Sequence, residues 1–151
     1  MPTEIEKKFL VKGTAWKGEI KGTKITQGYL LSNNLIMARV RVYGKKGYIT
    51  LKGKRKGISR TEYEYEIPVR EAKELLLYCE DRVLEKIRYK IPYKNEVFEV
   101  DEFLGINKGL VLAEIELKSE EQKFEKPHWL GKDVSQNKKY YNSNLVKSKL
   151  K

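Results

Sequence analysis

Period-two alternation runs along most of this chain, and eight segments carry it. Successive side chains of a strand face opposite ways, so each segment sorts its residues into two faces. In residues 4–11, Glu4, Glu6 and Lys8 share one face, and Ile5, Lys7 and Phe9 share the other. Residues 25–31 put Gln27 and Tyr29 together. Residues 36–43 set Arg39 and Arg41 against Val40 and Val42, and residues 48–52 set Tyr48, Thr50 and Lys52 against Ile49 and Leu51. The most regular run is 60–67, where Arg60, Glu62, Glu64 and Glu66 oppose Thr61, Tyr63, Tyr65 and Ile67. In 85–91, Lys86, Arg88 and Lys90 oppose Ile87, Tyr89 and Ile91. Residues 96–103 and 112–118 set Glu99/Asp101 and Glu114/Glu116 against Phe98/Val100 and Ala113/Ile115/Leu117.

Short turns between these runs predict antiparallel neighbours, with a hairpin loop over 44–47. Helical spacing occurs in one stretch, 69–84, through Ala72, Leu75, Leu76, Cys79 and Val83. Ser119 and Gln122 have the spacing of a capping box, which predicts a short helix stopping before Pro127. Residues 12–24 read as a loop anchored by Trp16, and 128–135 as irregular. The polar segment 138–150 reads as a short helix docked on the outside. No linker interrupts the pattern, so residues 1–151 are expected to form a single domain, α+β but mainly β.

The pattern fits two architectures. An open antiparallel sheet would wet its charged face and cover its apolar face with helices. A closed barrel would turn the charged face inward, where an eight-stranded interior holds side chains or one small ligand. So many enclosed charges are costly unless an ion or an anionic ligand completes their pairing.

Composition narrows the chemistry. Of 151 residues, 40% are hydrophobic and 35% charged, and the formal net charge is +11, which points to an anionic partner. Cys79 and His128 are the only cysteine and histidine, too few ligands for structural zinc and no disulfide framework. The chain opens without a signal-peptide pattern and has no membrane-length apolar run, so a cytoplasmic location and no membrane contact are expected. Paired carboxylates, Glu4/Glu6 and Glu114/Glu116, form a hard oxygen donor set that suits Mg²⁺ or Mn²⁺. Arginines and lysines on separate strands suit an elongated polyanion. Metal plus phosphate clamp is equipment for phosphoryl transfer.

The ordered set Glu4-x-Glu6-x-Lys8, Gln27-Gly28-Tyr29-Leu30, Arg39-Val40-Arg41, Thr50-Leu51-Lys52, Arg60-x-Glu62-x-Glu64, Lys86-x-Arg88, Glu99-x-Asp101-x-Phe103-x-Gly105 and Glu114-x-Glu116 resembles the CYTH superfamily, the triphosphate tunnel metalloenzymes. Val134-Ser135 and Lys139-Tyr140-Tyr141-Asn142 resemble its closing motif. The likeness covers essentially the whole chain and lies nearest the small bacterial inorganic triphosphatases. It implies an eight-stranded antiparallel closed barrel with helices packed outside, and it decides against the open sheet. It further implies that Glu4, Glu6 and Glu114 hold Mg²⁺ or Mn²⁺, and that Glu116 helps with a second ion that positions the attacking water. Lys8, Arg39, Arg41, Lys52, Lys86 and Arg88 would line a phosphate channel. Tyr29 would work with Lys8 in catalysis, and Glu62, Glu64 and Asp101 are family tunnel acids without an assigned role. Where the family often has arginine, this chain has Lys139, which keeps the charge and loses the bidentate fork.

The expected activity is metal-dependent hydrolysis of a small triphosphate, foremost inorganic tripolyphosphate, with slower hydrolysis of nucleoside triphosphates. A class IV adenylyl cyclase and a thiamine triphosphatase are the enzymatic alternatives, and a polyphosphate- or RNA-binding module the non-enzymatic one. No segment is evident for an organic ring, and Trp16 and Trp129 read as packing anchors. Acids interleave the tyrosines in Glu62-Tyr63-Glu64-Tyr65-Glu66, which argues against nucleic acid. Cys79 reads as a buried helix residue and His128 as a surface loop residue. The sequence leaves the oligomeric state open, a homodimer included.

Overall fold

A computed structural model of the chain describes residues 1–146. Its strands are β1 Thr3–Val11, β2 Thr23–Ser32, β3 Ile36–Tyr43, β4 Lys46–Gly53, β5 Ser59–Ile67, β6 Val83–Tyr93, β7 Glu96–Phe103, β8 Val111–Glu116 and β9 Leu130–Asp133. Its α-helices are α1 Val69–Leu76 and the single turn α2 Asn142–Leu145. Strand order is β5-β4-β3-β2-β6-β7-β8-β1, and β1 also pairs with β5, so eight strands close on themselves. Closure divides β1 between partners. Glu4 lies opposite Arg60 of β5, whereas Glu6 and Lys8 lie opposite Glu116 and Glu114 of β8. The ninth strand, β9, takes the β1 edge that β5 leaves, with Phe9 opposite Asp133. A closed sheet leaves no bare hydrogen-bonding edge.

The barrel has its apolar faces outside. Phe9, Tyr89, Phe98, Val100 and Ile115 point away from the axis and are covered by Trp16, Trp129 and Leu130. Trp129 meets Phe98 edge-on at 5.5 Å, and Trp16 meets Tyr89 edge-on at 5.1 Å, so both tryptophans are packing anchors. On the opposite wall, α1 lays Ala72, Leu75 and Leu76 over Val40, Val42 and Val83, together with buried Cys79. Gly28 permits that approach, because a Cβ there would stand 2.6 Å from Cys79 Sγ. His128 is exposed, as expected.

Several expectations about local structure are corrected. The helix from Val69 ends at Leu76 and tightens into a 3₁₀ turn, Leu77–Cys79, instead of running to 84. Glu80 adopts φ 53°, which turns the chain out of the helix, and the next apolar residues, Val83 and Leu84, belong to β6. The Ser119 capping box makes only a turn. Gln122 spends its side chain on the Lys118 amide (2.6 Å) and on Glu96 (3.1 Å), so it does not reach back to Ser119. The stretch 128–135 contains β9, whose order comes from pairing with β1 rather than from any alternation of its own. The 44–47 loop shrinks to two residues, since Tyr43 already pairs with Lys46 around Gly44 at φ 60°.

The C-terminal segment departs most. It is a 3₁₀ turn, Lys138–Tyr140, followed by α2, with extended Tyr141 (ψ 131°) breaking the expected helix; 147–151 lie outside the described residues. It does not dock on the barrel wall. Leu145 and Val146 join Tyr29, Met37, Leu84, Phe103 and Leu112 in a cluster formed by lumen-facing residues. The segment thus caps part of one end of the barrel. No helix among the described residues is long and apolar enough to cross a membrane.

Candidate active site in the barrel lumen

The charged faces converge. A cavity of about 910 Å³ follows β3 from Ile36 to Tyr43 inside the barrel. Glu4, Glu6, Lys8, Tyr29, Arg39, Arg41, Lys52, Glu62, Glu64, Lys86, Arg88, Glu114 and Glu116 all line it. Two expected residues do not. Asp101 points inward but is covered by Lys86 and Arg88, which it bonds, and Lys139 is exposed with its ammonium 5.2 Å from the centre of the Tyr140 ring. Lys138 lines the cavity in its place, because the 3₁₀ turn points the earlier lysine inward.

Pairing inside the lumen is uneven. Arg88 grips Asp101 with two bonds of 2.8 Å and reaches Glu114 Oε1 at 3.1 Å. Asp101 also holds Lys86, at 2.9 Å. Burial alone would raise the Asp101 pKa, but these two cations outweigh it and hold the carboxylate below its usual range. Asp101 therefore neutralises basic neighbours, the question its motif left open. Lys52 bridges Glu4 at 3.0 Å and Glu62 at 3.3 Å. Lys8 spends its ammonium on Glu114 (3.7 Å) and on the Tyr140 carbonyl (3.1 Å), while the Tyr29 hydroxyl accepts from Gln27 Nε2 (2.9 Å). Burial raises the Tyr29 pKa, with Arg39 and Arg41 pulling the other way.

Two groups stay underpaired. Arg41 reaches Glu64 at 3.1 Å and Arg39 reaches Thr50 at 3.3 Å, yet the buried Nε atoms of both arginines have no partner. Burial, and then repulsion from Arg39 and Arg88, brings the Arg41 pKa down to about 10. At the other pole, Glu6 lies opposite Glu116, and Glu99 opposite Glu114. Burial and then the Glu114 carboxylate push Glu6 well above the ordinary carboxyl range. Glu116 is raised too, by burial and then by Glu4 and Glu99. Glu114 itself is held well below that range, Lys8 and Arg88 overriding its burial.

Among the described residues, no three His, Cys, Asp or Glu side chains already form a closed metal cage, since Lys52, Lys8 and Arg88 occupy Glu4 and Glu114. The donor chemistry nevertheless fits a divalent cation. Four carboxylates on adjacent strands share one part of the lumen, and Glu6 and Glu116 resist ionising there without additional positive charge.

The sequence reading did not single out Asn142 as a site residue. Its carboxamide meets both Lys86 (2.8 Å) and Gln27 (3.2 Å). Nor did it foresee that Thr50 donates to Glu64 (2.8 Å). Thr50 was legible in principle, since it shares the face of Lys52, whereas Asn142 lies in a segment with no periodicity.

A CYTH domain profile matches residues 2–148. The chain belongs to the CYTH family. A protein of Acetivibrio thermocellus named inorganic triphosphatase is 54% identical to this CYTH domain over 100% of the chain and 97% of its own length. A second, from Nitrosomonas europaea and also named inorganic triphosphatase, is 40% identical over 97% of this chain and 98% of its own. A crystal structure of an inorganic triphosphatase superposes with a TM-score of 0.70 at 37% identity, covering 98% of this chain and 97% of that one. The closed barrel of this CYTH domain is the fold it shares with that structure.

Proposed function

We propose that this CYTH domain is a metal-dependent triphosphatase that hydrolyses inorganic tripolyphosphate to pyrophosphate and orthophosphate. One observation carries the reading. A single enclosed lumen holds both a set of carboxylates short of positive charge and two buried guanidinium groups short of acceptors. A divalent cation and a polyanion satisfy both at once. The names of the two relatives support the choice of substrate. Neither Trp16 nor Trp129 lines the cavity.

Glu4, Glu6 and Glu114 would hold Mg²⁺ or Mn²⁺, and Glu116 a second ion. When bound, such a cation neutralises phosphoryl oxygens and lowers the pKa of a coordinated water. Arg39 and Arg41, which line the cavity, hold the oxygens of the chain through their guanidinium groups, and Lys8, Lys52, Lys86 and Arg88 add fixed positive charge along it. Glu116 orients the water whose oxygen bonds to the terminal phosphorus as the bridging P–O bond breaks. Tyr29, opposite Arg39, belongs to the apolar cluster that Leu145 and Val146 close. The protein's work is positioning and charge neutralisation.

Phosphate release from tripolyphosphate, ATP and thiamine triphosphate, each with Mg²⁺, Mn²⁺ or chelator, tests the reading. Tripolyphosphate is expected to turn over fastest, nucleoside triphosphates more slowly, and nothing without metal. Equal rates on ATP, or cyclic AMP as product, overturn the substrate assignment. Salt-sensitive RNA binding with no hydrolysis overturns the enzyme.

A further inference from the structure

Lys86 is 2% exposed, and its ammonium carries three N–H donors. One meets Asp101 Oδ2 at 2.9 Å and another meets Asn142 Oδ1 at 2.8 Å. Lys86 also lines the cavity, which leaves its third donor for the lumen. Asn142 is placed by a separate set of contacts. The following turn buries Leu145, whose carbonyl accepts from Asn107 at 2.8 Å, and the Asn142 oxygen also accepts from fully buried Gln27 at 3.2 Å. Gln27 in turn donates to the Tyr29 hydroxyl.

We propose that Asn142 is a positioning residue of the phosphate channel: its carboxamide oxygen bridges the Lys86 ammonium and the Gln27 amide, and so directs the remaining Lys86 N–H at a phosphate oxygen of the substrate. Docking of the C-terminal segment thereby completes a cation of the barrel wall. The inference rests on the tripolyphosphate reading for its substrate. The groups facing Lys86 are Asp101 and Phe103 from β7, Arg88 from its own strand, Glu114 from β8, and Asn142 from the capping segment. Burial brings the Lys86 pKa down to about 8 against the pull of Asp101, with Arg88 adding to the fall. An acceptor bonded to this ammonium therefore favours its charged form against burial.

The test compares Asn142→Ala with Asn142→Asp. The kcat/KM for tripolyphosphate is measured against pH, and Lys86 is titrated by NMR on ¹³C-lysine protein, assigned with Lys86→Arg. Losing an acceptor weakens the charged form, and a carboxylate strengthens it. A hydrogen bond to a charged group corresponds to a shift of about one pH unit. Asn142→Ala is expected to lower the Lys86 titration and the alkaline limb by about that much and to raise KM more than it lowers kcat. Asn142→Asp is expected to move both upward. Unmoved titrations, shifts in the same direction, or an activity loss that is even across pH overturn the proposal. If the wild type fails to hydrolyse tripolyphosphate, the functional reading falls, while the NMR titration still decides whether Asn142 governs Lys86.

Discussion

Two lumen arginines should respond oppositely to the same substitution, because one is fully paired and the other only in part. Arg88 makes two 2.8 Å bonds to Asp101 and a 3.1 Å bond to Glu114. Arg88→Met strands buried carboxylates, and breaking a buried ion pair from one side costs about 3–5 kcal/mol. Lys86 still holds Asp101, at 2.9 Å, so the lower figure applies, about 3 kcal/mol. At about 2–4 °C per kcal/mol for a chain of this size, Tm falls by about 6–12 °C. Arg41 differs. Its Nε has no partner, its side chain is 10% exposed, and burial and the neighbouring arginines bring its pKa down to about 10. A shift of that size corresponds to about 3 kcal/mol of strain in the charged form. Arg41→Met removes the strain at the expense of the Glu64 contact, whose carboxylate reaches solvent, so the apo protein gains about 1–3 kcal/mol. That is about 2–12 °C in Tm.

The gain should carry a functional loss. Tripolyphosphate at a hundredfold excess over Kd stabilises the wild type by about 2.7 kcal/mol, and Arg41→Met should forfeit most of that. Thermal melts of the wild type and both variants in chelator, with and without tripolyphosphate, read every term without turnover. If Arg41→Met melts as low as Arg88→Met, or keeps the whole tripolyphosphate shift, the account of an anion clamp held short of acceptors is wrong.

Glu6→Gln keeps the shape of the side chain and removes one charge from the carboxylate pole. It should leave the chelated protein as stable as wild type or more so, and should lose at least half of the metal-induced Tm rise; an undiminished rise removes Glu6 from the metal set. Lys86 titrates near 8 folded against 10.5 as a free group. The unfolded chain thus binds more protons between those values, so this residue's contribution to stability grows as pH rises from about 8 to 10.5. In Lys86→Met, urea unfolding across that range should show a flatter pH dependence; an unchanged slope contradicts the assignment. Gly28→Ala would bring a Cβ to 2.6 Å from Cys79 Sγ, an overpacking of about 1–3 kcal/mol. Adding Cys79→Ala should restore part of the loss in Tm, and a wild-type melting point for Gly28→Ala alone would show that α1 yields freely.

The lumen was legible because parity is binary. Once a strand is recognised, each side chain has one of two faces, so Glu4, Arg39, Arg88 and Glu116 could be grouped without knowing which strands touch. Parity says nothing about partners across the sheet, and the role of Asp101 was therefore unreadable until β6 and β7 were seen side by side. It also fails where no period exists. In 138–146 the choice of Lys138 over Lys139 for the cavity, and the reach of Asn142 to Lys86, follow from a 3₁₀ turn and an extended Tyr141. Helical spacing misled at Val83 because a strand can place an apolar residue there equally well. Only the backbone turn at Glu80 separates the two.

The order of the strands explains why the lumen has two unbalanced poles. Base-bearing β6 lies beside acid-bearing β7, and base-bearing β4 beside acid-bearing β5, so Arg88–Asp101 and Lys52–Glu62 neutralise across those seams. At β7-β8-β1 three acid-bearing strands adjoin, which sets Glu99 opposite Glu114 and Glu6 opposite Glu116. Arg39 and Arg41 stand on β3, between β2, which offers them only Tyr29 and Gln27, and β4, which offers Thr50 and Tyr48. Closing the sheet in this order therefore leaves excess negative charge on one side of the lumen and unpaired guanidinium donors on another. Reordering the strands could pair every charge internally, but the interior would then have nothing left to offer a cation and a phosphate chain. The pairing that the barrel leaves unmade is what its ligands complete.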